Sequence, residues 1–173
     1  LSINPVVGDG TAPAFAIGSS TGTSFVVDNA GNVAIGTAST SNVKLTVSNN
    51  PSSLPSPSLG TIATFAGGDA VATRVTIDSF IGNSNLTLRR ANTGAASPGA
   101  VSSTDNLGQI SFMGYGTTGY LGATGVVRGI ATQNFSDSAG GTALTFLTTP
   151  NNSVTAVETV RIDQNGNLGI GST

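Results

Sequence analysis

The residues that could perform catalysis in this chain are its eight carboxylates, because the sequence contains neither histidine nor cysteine. A glycoside hydrolase needs two carboxyl groups about 5 to 10 Å apart, one of them with a raised pKa. No pair is singled out by its spacing among Asp9, Asp28, Asp69, Asp78, Asp105, Asp137, Glu158 and Asp163. Without histidine and cysteine, the commonest general base and the usual zinc ligands are also missing. The sequence predicts no catalytic, metal or cofactor site.

Two tyrosines are candidates for a binding function. Tyr115 and Tyr120 lie in a glycine-rich stretch, Gly114-Tyr-Gly-Thr-Thr-Gly-Tyr-Leu-Gly122. Sugars stack on aromatic faces, and tyrosine is also common at protein interfaces, where one end of the ring is apolar and the other polar. A glycan contact, an inter-chain contact and a plain hairpin turn all remain open for this stretch.

Two neighbouring arginines, Arg89 and Arg90, end a predicted strand, so their side chains should point in opposite directions. One interpretation is a contact with an acidic glycan. The structural alternative, which we favour, is an ion pair with Asp78, with Asp105 or with an acid of another chain. An exposed pair of this kind contributes little to stability.

The overall composition narrows the classes of protein further. Charged residues are only 8% of the 173-residue chain, its formal net charge is −2, and it has six basic residues. Such a balance excludes a nucleic-acid footprint. No apolar run approaches the roughly 20 residues that cross a bilayer, so membrane insertion is not predicted. Low charge with 38% hydrophobic residues favours extended β-structure whose surface is either covered by hydroxyls and amides or hidden between chains.

The chain contains a repeated hairpin pattern. The stretch 158–173 contains alternating Val160 and Ile162, then Asn165-Gly166, a strong hairpin signal because both residues tolerate positive φ. The pattern also occurs at 25–37. The residues that match are Asp28, Gly31, Asn32, Ile35 and Gly36 in the first copy, and Asp163, Gly166, Asn167, Ile170 and Gly171 in the second.

These hairpins are too short to bury their own apolar faces, and an isolated hairpin is marginal in water. Three copies around an axis could bury the large residues together, while glycine lets another backbone approach closely. We therefore predict a homotrimer. The predicted trimer-packing residues are Val33, Ile35, Gly36, Leu168, Gly169, Ile170 and Gly171.

The predicted organisation is all-β, with shaft-like hairpin repeats flanking a β-sandwich or jelly-roll-like domain in an elongated molecule. Residues 1–47 and 158–173 are the predicted shaft-like regions, and 48–60 is a Pro/Ser-rich linker. The predicted sandwich, 61–157, contains seven candidate strands separated by Gly, Asn, Ser and Asp. These strands are Thr61–Phe65, Thr73–Asp78, Asn85–Arg89, Gly108–Met113, Gly125–Thr132, Thr142–Thr148 and Val154–Ile162. No segment shows a sustained helical period.

Four segments carry a family resemblance: Arg161–Gly171, Leu86–Asn92, Asp105–Tyr115 and Ala139–Phe146. They resemble bacteriophage tail-fibre and tail-spike proteins, in which such repeats often precede an endosialidase-type intramolecular chaperone. The resemblance implies a trimeric virion fibre, located in the virus particle.

We therefore expect a structural, non-enzymatic fibre component that extends toward the host surface and helps attachment. Its expected partners are itself, other fibre or tail proteins, and a host surface glycan or protein. Two alternatives remain open: a polysaccharide-degrading tail spike, which would need two close carboxylates in a cleft, and a bacterial trimeric surface adhesin.

Overall fold

The chain is all-β. A computed structural model describes residues 15–19, 22–28, 30–36, 43–49 and 57–171, and these residues contain ten strands and no helix. The strands are β1 (Phe15–Ser19), β2 (Gly22–Val27), β3 (Val33–Ile35), β4 (Leu45–Ser48), β5 (Ala63–Ala66), β6 (Asn106–Phe112), β7 (Gly125–Ala131), β8 (Thr142–Thr148), β9 (Val157–Ile162) and β10 (Leu168–Ile170). The predicted all-β class is confirmed, and the elongated homotrimer stays a prediction.

The chain divides into two compact units, Leu1–Asp78 and Ser79–Thr173. Each unit contains one five-stranded sheet, β1 to β5 in the first and β10 to β6 in the second. Strand β5 pairs with β4, so the Pro/Ser-rich residues connect two neighbouring strands of one sheet; 50–56 lie outside the described residues. The predicted limits, 1–47, 48–60, 61–157 and 158–173, differ from these units and stay a prediction for the assembled protein.

The first sheet combines two kinds of pairing. Its first three strands are antiparallel neighbours, whereas β3, β4 and β5 run parallel to one another. Because side chains alternate between the faces of a strand, the register aligns one apolar row across all five strands. This row consists of Ile17, Phe25, Ile35, Val47 and Phe65. The opposite face carries small side chains, and Ala34 and Thr46 on it are fully buried.

The second sheet is an antiparallel meander, each strand pairing with the next along the chain. One of its faces, which we call the apolar face, carries three aligned rows. The central row is Ile110, Val127, Phe146, Val160 and Ile170; the flanking rows are Gly108, Gly129, Leu144, Ile162 and Leu168, and Phe112, Gly125, Thr148 and Val157. No member of these rows is charged.

The other face of the second sheet, the charged face, carries an ion-pair cluster. The Glu158 carboxylate accepts hydrogen bonds from Arg161 at 2.5 and 2.8 Å, and its Oε2 lies 3.9 Å from the Arg128 guanidinium. Between the two arginines, on the central strand, lies Thr145, which is fully buried. The pairing shifts between Phe146 and Leu147, and this irregularity brings Glu158 onto the charged face.

Five of the seven strands predicted in 61–157 are present, but two predictions are wrong. Thr73–Asp78 and Asn85–Arg89 alternate as strands should, yet neither pairs with another strand among the described residues. A strand needs backbone partners as well as alternation, and the single chain supplies none here. Their apolar side chains are therefore exposed: Val75 by 68% and Leu86 by 69%.

Candidate interaction surfaces

The turn of the second hairpin is held by the side chain of one aspartate. Oδ1 of Asp163 accepts hydrogen bonds from the backbone N–H groups of Asn165 and Asn167, at 2.9 and 2.8 Å. Its Oδ2 accepts a third, from the Asn167 amide at 2.9 Å. These bonds, led by the one from the Asn167 side chain, lower the pKa of Asp163. The carboxylate therefore has a structural role.

The first hairpin repeats this arrangement. Oδ1 of Asp28 accepts from the N–H groups of Ala30 and Asn32 at 2.9 and 2.8 Å, and its Oδ2 accepts from the Asn32 amide at 2.8 Å. Gly31 and Gly166 have φ of 74° and 82°. Asn165 is not at positive φ in its fully described turn, so the expectation of two such residues is wrong there. A loop with a single left-handed glycine after a tight turn explains the hairpin.

The predicted packing residues of the two hairpins have different surroundings. Gly36 and Gly171 both have positive φ, at 76° and 70°. A methyl group at Gly36 would overlap the backbone carbonyl oxygen of Ser48, whereas one at Gly171 would meet nothing within 4 Å. The close backbone approach expected at a repeat glycine thus occurs at Gly36, within one chain.

The other predicted packing residues lie in the paired strands β3 and β10. Val33 and Ile35 face the same side of the first sheet, and Leu168 and Ile170 lie on the apolar face of the second, with Gly169 on the charged face. Leu168 is 61% and Ile170 71% exposed. Their role in trimer packing stays a prediction.

Tyr115 and Tyr120 contact each other. Their ring centroids are 5.2 Å apart and the ring planes are nearly perpendicular, at 84°. The loop between them is closed by a hydrogen bond from the Gly116 N–H to the Gly119 carbonyl at 2.8 Å. Both rings are more than half exposed. The pair is an exposed aromatic contact, and its role in binding a glycan or another chain stays a prediction.

Arg90 forms the ion pair that the sequence offered as one alternative. Its guanidinium lies 2.7 Å from Asp105 and also donates to the backbone carbonyl of Asn106 at 3.1 Å. Asp105 accepts further hydrogen bonds from Asn92 and from the Ser102 N–H, both at 2.8 Å. The Asn92 hydrogen bond is the largest influence that lowers the pKa of Asp105.

Arg89, next to this cluster, is exposed. A contact between either arginine and a glycan or another chain stays a prediction.

Sequence reasoning missed the largest surface feature, the apolar face of the second sheet. Only Leu168 and Ile170 of this face were identified as packing residues. Ile110, Phe112 and Val157 also belong to it and are 49%, 59% and 46% exposed. Each strand from β6 to β10 contributes only two or three residues to the rows of this face, and the strand register that aligns them could not be read from separate segments.

A second missed feature is the set of exposed apolar side chains in the segment 71–88. Phe80 is 91% exposed, and Ile81 is fully exposed with φ of 69°. Positive φ is unusual for a β-branched residue. At the end of this segment Leu88 packs against β6: its Cβ lies 2.7 Å from the position that a Cβ would take at Gly108. Only a residue without a side chain fits at 108.

Neither a metal-binding cluster nor a membrane-spanning helix occurs in the part of the chain that the structure describes. In the described ranges, no group of three or more acidic, histidine or cysteine residues is placed to hold a metal ion. The same ranges contain no helix long and apolar enough to cross a membrane.

The fold has counterparts among solved structures. It is similar to the carboxy-terminal domain of the bacteriophage T5 L-shaped tail fibre, with a TM-score of 0.60 and 15% identity over 86% of this chain and 59% of that one. It is also similar to the same domain with its intramolecular chaperone domain, with a TM-score of 0.58 and 13% identity over 86% of this chain and 41% of that one.

This likeness is one of fold. The chain spans less than two thirds of the length of either tail-fibre structure. No protein-family model matches the sequence, and no curated protein matches it significantly.

Proposed function

We propose that this chain is a structural, non-enzymatic part of a bacteriophage virion fibre, a homotrimer that extends toward the host cell and helps the particle attach. The observation that carries the proposal is the fold shared with the T5 tail-fibre domain over 86% of the chain. The tail-fibre-like segments of the sequence add to it. Proposed partners are further copies of the chain, other fibre or tail proteins, and a glycan or protein of the host surface.

A passive role is also supported by the state of the carboxylates. Asp105 and Asp163 have lowered pKa values, opposite to the raised pKa of a glycosidase acid. Asp28 is held by its turn, and Glu158 is held between two arginines. These four carboxylates stabilise turns and strands.

The proposed location is tested by labelling. Antibodies raised against the purified chain, coupled to gold, should decorate the fibres of the phage that encodes it in electron micrographs. Purified chain added to host cells should also reduce phage adsorption, because it would occupy the same receptors. Virions that stay unlabelled, under conditions where the antibody binds the denatured chain from the same virions, would contradict the proposal.

The tail-spike alternative has its own test. Host surface polysaccharide is incubated with the purified chain, and its length is measured by size-exclusion chromatography. We expect no change in length. Depolymerisation that is lost on replacement of Asp69, Asp78 or Asp137, the described acids without an assigned structural role, would replace the fibre proposal by an enzymatic tail spike.

A further inference from the structure

The apolar face of the second sheet is uncharged, and seven of its ten large apolar side chains are exposed in the single chain, while Leu88 covers it at Gly108. Ile110, Leu168 and Ile170 expose 49%, 61% and 71% of their surface. Five strands about 4.8 Å apart and three rows about 7 Å apart give a footprint of roughly 450–500 Å². Apolar patches of this size are the largest found on typical monomers and are often functional. The face is therefore a candidate contact surface.

The chemistry of the face limits what can cover it. The charged residues of the sheet, Arg128, Glu158 and Arg161, lie on the opposite face. A polyanion such as nucleic acid finds no cation on the apolar face. A lipid surface is bound through basic and tryptophan side chains around an apolar centre, and the three rows contain none. A partner of the same chemistry, uncharged and β-structured, fits best.

We propose that the apolar face is the surface through which copies of this chain assemble, each packing against the same face of its neighbours. Two sheet faces with interdigitating side chains pack about 10 Å apart. The inference deepens the proposed homotrimer, from which it takes the expected number of copies, by assigning the contact to rows on β6 to β10.

The area of the face is smaller than one side of a standard interface, so a stable assembly needs further contacts between the copies. A standard interface buries about 800 Å² on each partner, which exceeds the footprint of the second sheet alone. The first sheet carries a matching row, in which Ile17, Ile35 and Phe65 are 56%, 42% and 53% exposed. Each of the two units thus carries its own exposed apolar residues on one face of its sheet.

The test compares two neighbouring positions of β6. Ile110 lies on the apolar face and Gln109 on the charged face, where it pairs with Arg128. Both side chains are exposed in the single chain, so a monomer would tolerate a carboxylate at either position. We expect Gln109→Glu to assemble like the parent chain. Ile110→Glu should assemble only at more than ten times the concentration, measured by multi-angle light scattering over a dilution series.

A second variant guards against loss of folding at position 110. Ile170→Glu changes the edge strand β10, where the side chain is 71% exposed, and circular dichroism at high dilution reports whether each variant keeps its strands. If Ile110→Glu unfolds, the assembly of Ile170→Glu, measured by light scattering, tests the interface in its place. Weakened assembly with preserved strands supports the inference.

Three outcomes overturn the inference in distinguishable ways. A trimeric parent whose folded apolar-face variants remain trimeric refutes this interface and leaves the proposed fibre role intact. A monomeric parent that binds neutral phosphatidylcholine vesicles assigns the face to lipid. A monomeric parent that binds no vesicles refutes self-association altogether, and gold labelling of the virion then decides the fibre role separately.

Discussion

The two copies of the hairpin have the same internal hydrogen bonds but different neighbours. In the first sheet the second arm, β3, lies inside the sheet, with β2 on one side and the parallel strand β4 on the other. In the second sheet the corresponding arm, β10, is an edge strand. Gly36 is therefore pressed against Ser48, and its counterpart Gly171 has open space beside it.

This difference separates two levels of folding. In each copy the aspartate side chain accepts hydrogen bonds from residues two and four positions later, so the same local sequence forms the same turn in both places. What lies beside the second arm is decided by the following chain. After Gly36 the chain returns to add β4 in parallel, which needs a crossover connection, whereas Gly171 lies at the outer edge of its sheet.

The largest expected effect is at the crowded glycine. Gly36→Ala should lower the free energy of unfolding by about 3 kcal/mol, through left-handed strain and overlap with Ser48. Gly171→Ala should lose only the strain, about 1 kcal/mol. Urea denaturation followed by circular dichroism measures both. Equal losses would mean that the surroundings of the two hairpins do not differ in energy, and the comparison would fail.

A smaller effect is expected at the ion-pair cluster on the charged face of the second sheet. Glu158→Gln keeps the shape of the side chain but leaves Arg128 and Arg161 as unneutralised neighbours. The Arg128 Nε already lacks a hydrogen-bond partner in the described part of the chain. We expect a loss of about 2 kcal/mol in urea denaturation. Asp137→Asn, an exposed acid of the same unit, is the matched control and should change nothing; a similar loss there would point to net charge instead.

The turn aspartates should differ more modestly. Asp28→Ala removes three hydrogen bonds, two of them donated by an Asn32 that is 9% exposed, and should cost about 1–2 kcal/mol. Asp163→Ala removes the corresponding bonds from Asn167, which is exposed, so water can replace them. The midpoint of urea denaturation should therefore shift less for Asp163→Ala than for Asp28→Ala. A larger shift for Asp163→Ala would show that the edge hairpin depends more on its turn.

The smallest expected effect is a dependence on pH. Because hydrogen bonds lower the pKa of Asp163 in the folded state, its contribution is complete above the ordinary value of about 3.9. It is lost as the pH falls through the lower folded value, since the unfolded chain binds the proton first. Asp163→Asn should therefore flatten the fall in melting temperature below about pH 4. If Asp163→Asn leaves the fall in melting temperature unchanged, that fall is due to other carboxylates, and Asp105, whose pKa is also lowered, would be the next to replace.

The local parts of the fold could be predicted from the sequence. Alternation located five of the seven strands in 61–157, and the repeat identified both hairpins. The first failure concerns Thr73–Asp78 and Asn85–Arg89, which have strand periodicity without a strand partner. Periodicity reports which side chains share a face, and it carries no information about whether another backbone is available for hydrogen bonding.

The surfaces were predictable to a smaller extent. The pairing of Arg90 with Asp105 was anticipated as one alternative, because so few opposite charges are available. The close approach at Gly36 was expected from its residue type, but its partner, Ser48, follows from parallel pairing that no local pattern encodes. The apolar face depends on the register of five strands, and register is a property of the folded sheet.

The bond between Arg90 and the Asn106 carbonyl has a consequence for solubility at high protein concentration. Since the Asp105 carbonyl accepts from Ala131 of the adjoining strand at 2.9 Å, the next carbonyl along β6 points away from the sheet. Such outward groups can template the addition of foreign strands, and a charged side chain over them is a common safeguard. The cover over the Asn106 carbonyl should therefore disfavour the addition of a foreign strand at the start of β6, at the edge of the sheet opposite β10.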